Sequence, residues 1–220
     1  MIEYPEMTLA PPLALEDRMT GRVLLRNISW GTYTSLLDEV GDGPTRLTYN
    51  HGLLEIEMPS RHHELIKKFI GEIVELCLRH SATDYEPSGN ATWRQEDQLQ
   101  GLEADDCYHI QHAAQVRGKA ALDLSTDPPP DLAIEIELTS ASLNKLEIYS
   151  TLRVPEIWRI RADGTCHMLR RAETGTWSAI DSSICIPILT PVILTRFLLR
   201  REQVGHSEAL RQFEAELNAG

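Results

Sequence analysis

Fifteen residues, Pro128 to Ser142 (PPPDLAIEIELTSAS), constrain the fold more than any other stretch of this 220-residue chain. Three prolines hold the backbone extended, so a strand should begin sharply at Asp131. Side chains on a strand alternate between faces. Leu132, Ile134, Ile136 and Leu138 therefore share one face, and Asp131, Ala133, Glu135 and Glu137 share the other. Like charges two residues apart repel, and burial strips their hydration, so a cation or a proton must offset the cost. A divalent-metal site is the first expectation. An edge strand whose acids look into water has the same pattern.

A second acidic stretch lies upstream. Read as one strand, Gly101 to Gln111 (GLEADDCYHIQ) places Glu103, Asp105, Cys107 and His109 on one face and Ala104, Asp106, Tyr108 and Ile110 on the other. A charged loop from about Ala113 to Pro130 separates the two. Neighbouring antiparallel strands lie ~5 Å apart, which would bring Asp105 and Glu135 within reach of one ion. Oxygen-only ligation of this kind suits Mg2+ or Mn2+.

These segments, followed by the helix-like LNKLEIYSTL and the strand opening VPEIWRI, resemble the Uma-type family of restriction endonucleases, long classed as a domain of unknown function within the PD-(D/E)xK nuclease superfamily. The resemblance runs from about Asn27 to Ile160, and the order of its motifs is more specific than any one of them. It implies that Asp105 and Glu135 bind Mg2+. Two departures stand out. Glu137 occupies the position of the superfamily lysine, and Ala104 stands where relatives often have proline. The nearest cation is Lys145, ten residues after Glu135. It is the candidate for a migrated lysine that orients the attacking water or neutralises the phosphate; a solvated lysine on an amphipathic helix is the alternative.

Pro59 to Cys77 is the clearest helix. Ile66, Phe69, Ile70, Ile73, Val74 and Cys77 recur at helical spacing, and Ser60 is placed to cap the N-terminus. The resemblance makes Glu64, in the first turn, a third acid of the site. Interaction with the helix terminus and with Lys68 would explain it equally. His62 and His63 diverge by about 100° on a helix and cannot chelate one ion together.

A hydrophobic content of 42% can fill a sizeable core, and neither a leader peptide nor a membrane-spanning run is evident, so a cytoplasmic protein without membrane contact is expected. Cys77, Cys107, Cys166 and Cys185 lack zinc-knuckle spacing and read as small core residues. Charge runs against a nucleic-acid partner: the net is -12, and residues 1–150 carry 12 Lys and Arg against 25 Asp and Glu. Arg153, Arg159, Arg161, Arg170 and Arg171 form the one local basic run that could meet phosphates.

Residues 1–25, rich in proline and without periodicity, should form a partly disordered arm. A helix is expected near Thr32–Val40, with hairpins over Arg46–Met58 and Trp158–Ser178. Residues 201–220 should be a helical tail docking on the domain or on a second subunit of a homodimer. The expectation is a single α/β domain over 26–200 with a restriction-endonuclease-like core: a central mixed sheet flanked by the His63 and Lys145 helices, with extra hairpins. Its expected activity is Mg2+- or Mn2+-dependent hydrolysis of DNA. Asp105, Glu135 and Glu137 are the metal ligands, and Asp105, Glu135, Lys145 and Glu64 the catalytic residues. A catalytically inactive nuclease-fold binding or scaffold module, or a metal-dependent hydrolase of another substrate, are the alternatives.

Overall fold

A computed structural model describes residues 21–219 apart from 42, 90, 125 and 140–142. The expected N-terminal arm lies outside the described residues as far as residue 20. Its last five residues are not an arm but a paired strand.

Two sheets carry the fold. The first has the order β1 (Gly21–Leu25), β3 (Leu53–Met58), β2 (Arg46–Asn50), β6 (Gln100–Glu103) and β5 (Thr92–Gln95), antiparallel throughout. The second has the order β11 (Trp177–Ala179), β10 (Cys166–Arg171), β9 (Glu156–Arg161), β8 (Leu132–Glu137), β7 (Asp106–His109) and β4 (Glu86–Pro87). Among the described residues only β8 and β9 run parallel, so this is the expected central mixed sheet. A parallel pair needs a crossover, and α4 (Lys145–Thr151) lies within the connection. The Arg46–Met58 hairpin belongs to the other sheet. There α1 (Trp30–Val40) covers one face by stacking Tyr33 on Tyr49, with ring centroids 4.9 Å apart.

Alternation along β8 sets the layers. Leu132, Ile134 and Ile136 pack against α2 (Arg61–His80), α5 (Pro191–Val204) and α6 (His206–Ala219). Ala133 joins Ile148, Tyr149 and Leu152 of the α4 side, together with Trp93 and Leu102 from the first sheet. Helix α2 forms as its spacing predicts: Ser60 Oγ accepts from the His63 amide at 3.2 Å, and Phe69, Ile70, Ile73 and Val74 are fully buried. Each such side chain contributes about 2 kcal/mol by leaving water. Gly71 permits close approach to β7, because a Cβ there would stand 3.1 Å from both Asp106 Oδ2 and the Tyr108 hydroxyl.

The C-terminal helices are not an appendage. Ala209, Phe213 and Leu217 are buried in the main core, and Phe213 meets Phe197 edge-on at 5.1 Å. Residue 201 is no boundary, since α5 continues through it. The short α3 (Ala113–Val116) follows β7. Among the described residues no helix is long and apolar enough to cross a membrane.

Candidate active site

Gly101–Gln111 is not one strand. It breaks at Ala104–Asp105, where the chain leaves the first sheet at β6 and enters the second at β7. Asp105 therefore sits where the sheets meet. Asp106 pairs with Ile134 across β7 and β8, and continuing that register by one residue sets Asp105 beside Glu135. Asp105 is buried; its Oδ2 accepts from the Ile136 amide at 2.8 Å and lies 3.1 Å from His63 Nε2. The two form a buried ion pair when His63 is protonated. Asp105 Oδ1 is buried with no hydrogen-bond partner. Burial works to raise the Asp105 pKa, but His63, Lys145 and the Ile136 amide outweigh it and hold the group below the usual range.

Glu135 is equally buried. Its Oε2 accepts from Lys145 Nζ at 2.7 Å and its Oε1 from the Tyr149 hydroxyl. Lys145 and Tyr149 are four apart on α4 and so share a face. Burial, reinforced by repulsion from Asp105, lifts the Glu135 pKa despite Lys145. Lys145 moves the other way from what its burial alone would cause: Glu135, Asp105 and Glu57 hold the ammonium charged. Lys145 Nζ stands 3.9 Å from Glu57 Oε2, and the other Glu57 oxygen accepts from Arg22 Nη2 at 2.7 Å. A cavity of about 30 Å³ lies beside Glu135, Lys145 and Tyr149, room enough for a water. A cavity of about 860 Å³ between β10 and the α5–α6 pair lies among Thr195, Arg196 and Leu199, far from these acids.

Glu64 joins this cluster only through His63. Its side chain is 47% exposed, and its Oε1 lies 3.2 Å from His63 Nδ1. Lys68 pairs with Glu72 at 4.0 Å instead of with Glu64. Burial disfavours a charged His63, yet Asp105 and Glu64 together raise its pKa to about 9.

Glu137 does not complete a three-acid set with Asp105 and Glu135. Two residues along a strand is roughly 6.6 Å, and at that point Arg159 of β9 grips the Glu137 carboxylate through two bonds of 2.7 and 2.8 Å. Among the described residues no three His, Cys, Asp or Glu side chains gather as a metal-holding group. The basic run is divided too. Arg159 is spent on Glu137 and Arg171 on the Ser150 carbonyl, while Arg153, Arg161 and Arg170 are exposed. The four cysteines are free, and Cys77, Cys107 and Cys166 are buried.

Three further contributors differ in how plainly the sequence marks them. Glu57 carried a usable signal, since Glu55 and Glu57 alternate with Leu54 and Ile56 just as the β8 acids do. Tyr149 was legible from its spacing to Lys145. Arg22 had none, lying in a stretch without periodicity.

A mixed sheet between helical layers, with acids from two strands and a lysine from the crossover helix meeting at one end, is the arrangement of a restriction-endonuclease-like core. Residues 31–183 match the Uma2 family, described as "Putative restriction endonuclease", and the chain belongs to that family. The match reaches beyond the second hairpin, further than the motifs alone extend. No curated protein matches. One solved structure, titled as that of a putative nuclease belonging to DUF820 from Anabaena variabilis ATCC 29413, shares 14% identity and covers 69% of this chain and 90% of its own, with a TM-score of 0.48.

Proposed function

We propose that this cleft hydrolyses phosphodiester bonds of DNA with a divalent ion, Mg2+ or Mn2+. The observation that carries the reading is Asp105 Oδ1, a buried carboxylate oxygen without a hydrogen-bond partner, set beside Glu135 and Lys145. A buried orphan acceptor costs about 1–3 kcal/mol, and a cation relieves that cost. The donor set fits: both groups offer hard oxygens, and Mg2+ commonly keeps several waters while binding one or two carboxylates.

Asp105 and Glu135 would hold the ion, which supplies charge neutralisation at the phosphate and a lowered pKa for a bound water. The protein's own groups do the rest. His63 and the Ile136 amide keep Asp105 ionised and fixed in direction. Lys145 and Tyr149 fix both oxygens of Glu135, and Lys145 places a positive charge beside the cavity that admits a water. Glu64 orients His63 from the rim. Glu137 has no part in this scheme.

A second reading has its own support. Both Glu135 oxygens are already engaged by Lys145 and Tyr149, so the cleft is partly neutralised from within, as suits a nuclease-fold module that binds without cutting. Nicking of supercoiled plasmid in Mg2+ or Mn2+ separates the two. Cleavage that is lost in Glu135→Gln and Asp105→Asn supports the nuclease; absence of cleavage by well-folded wild type, or cleavage that survives both substitutions, contradicts it.

A further inference from the structure

The cross-strand register of the first sheet aligns three charged residues: Arg22 on β1 and Arg46 on β2 both stand opposite Glu57 on β3. Arg46 is buried at 6% exposed, and Arg22 is part-buried, with its side chain 9% exposed. Glu57 satisfies only part of Arg22. Nη2 donates to Glu57 Oε1 at 2.7 Å and Nη1 stands 3.7 Å from Glu55 Oε1, while Nε and Nη1 have no hydrogen-bond partner. Arg46 donates from Nη1 to the Gly43 carbonyl at 3.1 Å, and its Nε is likewise unpartnered.

We infer that Arg22, with Arg46 on the other side of Glu57, forms a seat for a phosphate of the DNA backbone next to the Asp105–Glu135–Lys145 cluster. This deepens the nuclease reading and rests on it. A guanidinium presents a planar fork of N–H donors that matches phosphate oxygens, and donors left unpaired in a buried place call for an acceptor that arrives with the substrate. Lys145 links the seat to the cluster, because its ammonium lies between Glu135, at 2.7 Å, and Glu57, at 3.9 Å. The seat would set two arginines beside the acids of the cluster, on the strands that flank Glu57. Arg22 lies outside residues 31–183, so the segment matching the family does not include it.

Mere neutralisation of Glu57 is the competing role for Arg22, and two variants separate the roles. Arg22→Lys keeps a cation against Glu57 but loses the fork, and Arg22→Gln loses the charge. Binding of a labelled DNA duplex is measured by anisotropy across a salt series with Ca2+, with thermal melting recorded alongside. Arg22→Lys should bind about tenfold more weakly at an unchanged melting midpoint. Arg22→Gln should lower the slope of log affinity against log salt by about 0.9, the value for one lost phosphate contact. Wild-type affinity and slope in both variants, or no DNA binding by wild type, overturns the seat. Plasmid nicking in Mn2+ keeps the two ideas apart: binding that depends on Arg22 without nicking rejects the nuclease and retains the seat, whereas nicking unaffected by Arg22→Lys does the reverse.

Discussion

Asp105 and Asp106 are adjacent in the chain and opposite in fate. Asp106 turns toward α2, accepting from the Cys107 amide and the Tyr108 hydroxyl at 3.0 Å each, and its burial lifts the pKa to about 6. Asp105 turns toward the junction of the sheets, where His63 and Lys145 overcome the same burial and keep it ionised. The contrast extends along β8: Ile134 and Ile136 fill the helical core on one face, and Glu135 meets Lys145 on the other. A strand whose side chains switch face at every residue thus buries an apolar row on one side and a carboxylate on the other, and what lets the carboxylate stay there is the supply of cations from neighbouring elements.

The sharpest break of that contrast compares the two faces directly. Glu135→Gln should reduce plasmid cleavage by about 10²–10³-fold, the scale of a lost electrostatic contact in a transition state, while lowering stability by less than about 2 kcal/mol because Lys145 retains Glu57. Next in size, Ile134→Ala should cost about 3 kcal/mol in denaturant unfolding through the cavity it leaves, with cleavage by the folded fraction within about threefold of wild type. Equal losses of cleavage in the two variants would erase the distinction between faces.

Asp106 sharpens the comparison through pH. An acid whose folded pKa is raised gives stability at low pH that is lost as pH climbs from the unfolded value, 3.8, through about 6. Asp106→Asn should remove that slope, on the order of 3 kcal/mol, and melt higher than wild type at pH 7. A pH–stability curve between 3.5 and 7 that is parallel for the two proteins would be evidence against the assignment. Glu137→Gln should do least, since a partly exposed ion pair with Arg159 contributes about 1 kcal/mol or less, and cleavage should persist.

Local period was readable in the sequence; crossings between sheets were not. The β8 alternation and the α2 core face follow from spacings of two and of three to four residues, and both hold. GLEADDCYHIQ alternates equally well, yet the chain changes sheets in the middle of it, because pattern alone carries no record of which strand lies beside which. Glu137 looked equivalent to Glu135 until the parallel neighbour supplied Arg159. Arg22 reaches Glu57 by pairing with a strand more than thirty residues away, which no local signal announces.

Metal response of the folded protein is the most direct probe of the Asp105–Glu135 cluster. A ligand that binds only the native state at a hundred times its dissociation constant stabilises it by about 2.7 kcal/mol. The thermal midpoint of wild type should therefore rise by several degrees in millimolar Mn2+ or Mg2+, and the midpoints of Asp105→Asn and Glu135→Gln should not move. A wild-type midpoint indifferent to both ions, or an equal rise in the two variants, would contradict a metal site at these carboxylates.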